Sequence, residues 1–201
     1  MIGIIDYGAG NLLSVKKALD YIGAESKIVS SKADFDGIER LVLPGVGAFG
    51  AAIEKLKSIG AFDAIDAWLR ADRPFLGICL GLQILFEVSE ESENVSGFGI
   101  FKGKVLRFQQ RKVPQMGWNR VKQLKPISLF SEIDDLAFFY FLHGYYAKPA
   151  ESDIVGGQTD YGISYTSVIQ RSRIMAVQFH PEKSGENGIQ MLKNWVNLCQ
   201  Q

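Results

Sequence analysis

The sequence predicts an α/β protein: an open, mostly parallel sheet with helices on both faces, continued by a more antiparallel, β-rich C-terminal half. Three observations predict it. In the first half, short apolar runs alternate with amphipathic stretches of helical period. Beyond about Phe98 the helical stretches nearly vanish, and strand-like runs follow one another across turns. Between the halves, Phe75-Leu76-Gly77-Ile78-Cys79-Leu80-Gly81 leads an apolar run into a helix start, with a glycine two residues to either side of the cysteine.

Ile2 to Ile5, Ser26 to Val29, Arg40 to Leu43 and Phe75 to Ile78 are short and apolar, as strands buried on both faces are. Leu12 to Ile22 has helical spacing, with Asn11 as N-cap and Gly23 as stop. Ala51 to Leu69 is helical and broken near Gly60, and Leu82, Ile84, Leu85 and Phe86 continue a helix after the cysteine. In the second half Gly103 to Phe108, Phe138 to Leu142, Ile154 to Thr159, Tyr165 to Gln170 and Ile174 to Phe179 read as strands, expected to pair mostly antiparallel. Gly188 to Leu198 is the closing helix. No repeat or long linker divides residues 1–201, which are read as a single domain.

Lys plus Arg number 22 and Asp plus Glu number 22, so no charge footprint points to nucleic acid or an acidic membrane. The N-terminus enters a strand without a basic region, and no apolar stretch is long enough to span a bilayer, so a cytoplasmic location is expected. Cys79 and Cys199 are no disulfide framework, although a single bridge stays open. With His143 and His180 as the two histidines, no zinc site is apparent, and neither metal nor cofactor is expected.

Gly77-x-Cys79-x-Gly81 is the cysteine form of the nucleophile elbow, in which glycines allow the sharp strand-to-helix turn that lifts a side chain out of a sheet. Standing alone, Cys79 would be a small core residue; this frame makes it a nucleophile. A thiol needs a base, and the base an orienting group. Met175 to Phe179 is a strand that empties into His180-Pro181-Glu182, where the proline ends pairing and one turn holds both imidazole and carboxylate. Cys79 and His180 would meet if their strands run parallel, since such sites lie beyond the carboxyl ends of strands. His143 is the competing base, but it has aromatic neighbours and no nearby carboxylate, so it reads as structural or substrate-lining. The N–H of Leu80, opening the helix, is a candidate oxyanion donor, and that helix end together with an imidazolium favours thiolate. A second donor is expected from the loop Pro44-Gly45-Val46-Gly47. Gly45-x-Gly47-x-x-Gly50 formally matches a dinucleotide fingerprint, but it follows a later strand, carries Pro44 at the turn and lacks the acidic partner. Gly8-Ala9-Gly10 is a weaker match still.

Together, Pro44 to Gly47, Gly77 to Gln83 and Gln178-Phe179-His180-Pro181-Glu182 resemble the class I, triad-type glutamine amidotransferases, whose fold is flavodoxin-like. Asp6-Tyr7-Gly8-Ala9-Gly10-Asn11, Ala48-Phe49, Met116-Gly117-Trp118-Asn119 and Lys183-Ser184-Gly185 narrow the resemblance to the glutaminase subunits of imidazole glycerol phosphate synthases, over essentially the whole chain. It implies a triad of Cys79, His180 and Glu182, an oxyanion hole of Gly47 and Leu80, and L-glutamine held by Gln83, Gly45, Val46, His143, Gly144 and Tyr145. Gly144 departs from the family's usual Ser or Thr. The implied partner is a cyclase subunit, a (β/α)₈ barrel, in a heterodimer of histidine biosynthesis. The cyclase takes up the ammonia and makes imidazole glycerol phosphate and aminoimidazole carboxamide ribotide. Asn11, Trp118, Tyr140 and Lys183 are implied at the mouth between the two proteins. From the residues alone, Trp118 is equally a local core residue.

Three alternatives remain at this level. A glutaminase subunit for anthranilate, aminodeoxychorismate or purine synthesis more often carries a double glycine in the loop after Pro44. A cysteine-dependent α/β-hydrolase orders its triad nucleophile, acid, histidine, whereas the acid here follows His180. A binding module that kept the fold would be expected to have lost Cys79, His180 or Glu182.

Overall fold

The computed structural model describes residues 1–8, 11–92, 94–109 and 111–198. Cys199 and the Ala9-Gly10 pair of the first loop lie outside the described residues.

Strand β1 (Ile2–Ile5) is buried along its whole length and leads to α1 (Leu12–Tyr21), which buries Val15, Ala18 and Leu19 and leaves Lys16 and Asp20 to pair on its outer side. Gly23 ends this helix as expected, with φ +73° and the Ala24 N–H bonded back to the Leu19 carbonyl. Then come β2 (Ser26–Val29), β3 (Arg40–Gly45), α2 (Phe49–Ser58), α3 (Phe62–Arg70) and β4 (Phe75–Cys79). The expected break falls at Gly60, φ +69°.

After Cys79 the helix is shorter than its spacing suggests. Helix α4 is a single turn, Leu80–Gln83, and β5 (Phe86–Ser89) follows where a helix was expected. The reason lies in the carbonyls that a longer helix would need. Those of Ile84 and Leu85 accept instead from Phe98, Ile100 and Phe101 N–H groups of the returning chain.

The second half contains β6 (Phe101–Arg107), β7 (Gln115–Arg120), β8 (Lys122–Gln123), β9 (Phe138–His143), β10 (Tyr145–Pro149), β11 (Val155–Asp160), β12 (Ser164–Arg171) and β13 (Ile174–Val177), then α5 (Gly185–Leu198). Strands β7 and β10 carry no strand signal in the sequence, and α5 begins three residues before the expected Gly188.

Among the described residues, an 11-stranded sheet has the order β2-β1-β3-β4-β13-β12-β10-β6-β5, with β11 pairing β12 and β8. From β2 to β13 all neighbours are parallel; β12 pairs antiparallel with β13, β10 and β11. Strands β7 and β9 form a separate antiparallel ribbon. Successive residues of the central strands point to opposite faces. Leu41, Leu43 and Phe75 therefore pack under α2 and α3, while Val42, Leu76 and Ile78 pack under α1 and α5. Among the described residues no helix is long and apolar enough to cross a membrane. The parallel core brings the carboxyl ends of β1, β3, β4 and β13 to one rim, the side on which open α/β sheets bind ligands.

Candidate active site

Cys79 ends β4 and sits at φ 56°, ψ −105°, a conformation an L-residue adopts only when its surroundings enforce it. Those surroundings are the two glycines. A Cβ at Gly77 would lie 2.5 Å from the Gly81 carbonyl oxygen, and one at Gly81 would lie 2.0 Å from that of Leu43, so no side chain fits either side of the elbow. The thiol is 4% exposed. It lies 3.7 Å from the Leu142 carbonyl and accepts from Gln178 Nε2 at 3.6 Å. Leu80 is the first residue of α4, so its N–H has no partner within the helix.

Strand β13 pairs in parallel with β4, Val177 opposite Ile78, so the chain leaving β13 delivers His180 to the same rim as Cys79. His180 Nδ1 bonds Glu182 Oε1 at 2.8 Å, with both side chains buried. The His180 turn is pinned to β9: its N–H donates to the Tyr140 carbonyl, while Ser184 Oγ donates to the His180 carbonyl and accepts from the Tyr140 N–H. Burial alone would push the imidazole down. Charge and hydrogen bonding from Cys79, then from Glu182, outweigh it and hold His180 up at about 10, charged at neutral pH. Its Nε2 has no further hydrogen-bond partner among the described residues and is the nitrogen free to serve a reacting group.

His143 is the opposite case. Its Nδ1 bonds the Tyr145 carbonyl at 2.7 Å and its Nε2 faces the Tyr165 hydroxyl at 3.3 Å. Burial, followed by the charge of His180, pushes it down to about 4, so it is neutral at pH 7 with both nitrogens engaged. That geometry suits a wall, not a base.

Cys79 opens into a cavity of about 270 Å³ lined by Val46, Gly47, Leu80, Gln83, Glu91, Pro114 and the Leu142–Tyr145 segment. The predicted Val46, Gly47, Gln83, His143, Gly144 and Tyr145 thus come together around the thiol. Gly45 stands behind them, opposite Cys79 in the β3–β4 register. Gln83 Nε2 donates to the Tyr145 carbonyl at 2.9 Å and to Gln178 Oε1 at 3.1 Å. At Gly144 a Cβ would stand 3.1 Å from Val113, so the family's usual hydroxyl residue would crowd that side chain.

Asn11 differs from its sequence reading. It occupies the N-cap position of α1 at φ 79°, yet its side chain makes no cap; its amide donates to Glu182 Oε1, the oxygen that also meets His180. Trp118 is 56% exposed, edge-on to Tyr140, which is its register partner across β7 and β9. Lys183 is exposed beside them.

Gln178, Ser184 and Glu91 reach the site without a role assigned to them from the sequence, as do the lining residues Pro114 and Leu142. Gln178 and Ser184 adjoin the His-Pro-Glu turn and were within reach of inspection. Glu91 sits in a loop, lines the cavity and accepts the Phe49 N–H at 2.7 Å, at the start of α2; no local pattern announces it. Among the described residues no cluster of metal-ligating side chains occurs.

Residues 3–198 match the family model of class-I glutamine amidotransferases. The chain is 49% identical over 203 residues to the imidazole glycerol phosphate synthase subunit HisH of Thermococcus kodakarensis, covering 98% of this chain and 100% of that one. It is 45% identical over 201 residues to the HisH subunit of Desulfitobacterium hafniense, covering 98% and 95%. Among solved structures, a glutamine amidotransferase aligns with TM-score 0.79 at 17% identity, covering 100% and 99%. PurLQS from Thermotoga maritima aligns with TM-score 0.76 at 18% identity, covering 98% and 97%, a likeness of fold. The rim geometry and these relatives agree: the chain belongs to the class-I glutamine amidotransferase family, in the group of imidazole glycerol phosphate synthase HisH subunits.

Proposed function

We propose that Cys79, His180 and Glu182 act as a catalytic triad that hydrolyses L-glutamine to glutamate and ammonia, and that the ammonia passes to a cyclase subunit docked over the rim. The observation that carries this reading is the Glu182-oriented imidazole delivered beside a strained thiol at the ends of two adjacent parallel strands.

Glutamine enters the cavity with its side-chain amide toward Cys79. Its α-ammonium pairs with the Glu91 carboxylate, the acid of the lining. The thiolate attacks the amide carbon, and the C=O electron pair moves to oxygen, where the N–H groups of Leu80 and Gly47 stabilise the oxyanion. Collapse expels the amine as the His180 imidazolium gives it a proton, leaving a glutamyl thioester and ammonia. Neutral His180 then takes a proton from water, and the resulting hydroxide cleaves the thioester, releasing glutamate and restoring the thiolate. Glu182 keeps the imidazole oriented throughout, and Asn11 holds the Glu182 carboxylate in turn.

Ammonia released into water is protonated and loses its nucleophilicity, which favours direct transfer to a docked acceptor. A surface for docking adjoins the triad. On the β7–β9 ribbon, Met116 (71% exposed), Trp118 and Phe138 (45%) share the outer face with Tyr140, whose carbonyl accepts the His180 N–H. Such a cluster of exposed aromatic and Met side chains suits an interface core. With Asn11 and Lys183 it frames the exit toward a (β/α)₈ cyclase of histidine biosynthesis.

The test is glutamate release from glutamine by the wild-type chain and by Cys79→Ser, each with the cyclase subunit. Cys79→Ser is expected to retain less than a few per cent of the glutaminase activity, because an alcohol has little anionic character near neutral pH. The same complex supplied with ammonium salt is expected to keep cyclase activity. Substantial residual glutaminase activity would overturn the assignment of Cys79.

A further inference from the structure

Gln83 and Gln178 are joined in a chain of hydrogen bonds whose direction is fixed. A carbonyl can only accept, so the end of the Gln83 amide that meets the Tyr145 carbonyl at 2.9 Å is Nε2. The same Nε2 lies 3.1 Å from the Gln178 amide. Two NH₂ groups cannot bond each other at that distance, so Gln178 turns its oxygen to Gln83 and its Nε2 the other way. On that other side, 3.6 Å off, is Cys79 Sγ. One backbone carbonyl, which also accepts His143 Nδ1–H at 2.7 Å, thus sets the polarity of two amides in succession and aims an N–H at sulfur.

Gln178 has no room to turn away. Its side chain is fully buried, and its backbone N–H donates to the Ser167 carbonyl, which carries the β12–β13 ladder one residue past Val177. Two neighbours of Sγ favour opposite protonation states. The Leu142 carbonyl, at 3.7 Å, can only accept and suits the thiol; the Gln178 NH₂ can donate and suits the thiolate. Hydrogen bonds to an ionised acceptor are the stronger kind.

We propose that Gln178 is a further catalytic residue, its side-chain N–H holding the Cys79 sulfur as thiolate in the direction that Gln83 and the Tyr145 carbonyl impose. It serves at two points. Before attack, it favours the ionised nucleophile. After water has added to the thioester carbon, the adduct collapses, the C–S bond breaks with its electron pair on sulfur, and the N–H meets that charge as it forms. This inference deepens the glutaminase reading and rests on it.

Gln178→Met keeps the length of the side chain and removes the donor. Alkylation by iodoacetamide, in the complex with the cyclase subunit, reads the thiolate directly. On the acid side of the pH profile, Cys79 of the variant is expected to react about tenfold more slowly than in wild type, with the plateau at high pH within about twofold. The midpoint thus moves up by about one pH unit. The titratable groups around the thiol are His180 with Glu182 behind it, Tyr7 and Tyr165, and across the cavity His143 and Glu91. All are the same in both proteins, so the difference belongs to Gln178. An unchanged midpoint overturns the proposal. So does a rate lowered equally at every pH, which would make Gln178 a packing residue. Wild type supplies a measure that does not depend on how the variant folds. The side-chain amide resonances of isotope-labelled Gln178 are expected to shift with the alkylation midpoint, and resonances that ignore it overturn the proposal. A wild-type complex whose Cys79 alkylates as expected yet releases no glutamate would sink the glutaminase reading instead.

Discussion

His143 offers a quantitative test, because its environment makes a signed statement about stability. The side chain is buried, with both ring nitrogens engaged, and its proton affinity falls from the ordinary 6.5 to about 4. The unfolded chain therefore binds a proton below pH 6.5 that the folded protein resists until about pH 4. The contribution to stability is complete above pH 6.5 and is lost as pH falls through 4. Two and a half pH units at about 1.4 kcal/mol each amount to about 3.5 kcal/mol, of which about 3 kcal/mol is lost by pH 4, where the folded imidazole is half protonated. The variant His143→Asn has no such group. At pH 7 it should be less stable than wild type by about 1–3 kcal/mol, from lost packing and a hydrogen bond. Urea unfolding of both proteins from pH 7 to pH 4 should show that gap shrinking by about 3 kcal/mol. Carboxylates titrate alike in both and cancel in the difference. A gap that stays constant with pH would refute the neutral, buried imidazole. The same variant separates wall from base. Glutaminase kcat should fall far less than in His180→Asn, and a collapse equal to that of His180→Asn would transfer the role of base to His143.

Members of a catalytic unit fail together, so Cys79→Ser/His180→Asn should be little worse in kcat than either single variant; multiplicative losses in steady-state assays would contradict the shared role. Glu91→Gln keeps an oxygen to accept the Phe49 N–H but loses the charge facing the substrate, so KM for glutamine should rise about tenfold with kcat within about twofold, and an unchanged KM would remove Glu91 from the substrate site. Gly47→Val places a β-branched residue at φ +112°, which it adopts only with strain of about 1–3 kcal/mol; glutamine hydrolysis in the presence of the cyclase subunit should fall about tenfold or more while complex formation, followed by gel filtration, stays intact.

The parallel core and the residues that gather at its rim were legible without the fold. Ile2–Ile5 begins and ends where its apolar run does, and Phe75–Cys79 extends its run by one residue to the thiol. Central strands covered on both faces must be apolar at every position, which leaves a sharp local trace. The elbow and the His-Pro-Glu turn were legible for a related reason: each needs particular residues within a few positions. Strands β7 and β10 were not legible, because a strand with one exposed side lacks a continuous apolar run, and their pairing rests on β9 and β6, distant in sequence. The stop of α4 after one turn belongs to carbonyls taken by a returning loop. The same holds for polar partners. Asn11 reads as a cap from its neighbours, yet its amide goes to Glu182, 171 residues away; Glu91 reaches α2 across 42 residues, and Tyr7 meets Gly45 across the sheet. Local periodicity records burial, residue by residue. Which buried polar group meets which is decided only when distant segments are packed, since each takes the nearest partner that the finished fold supplies.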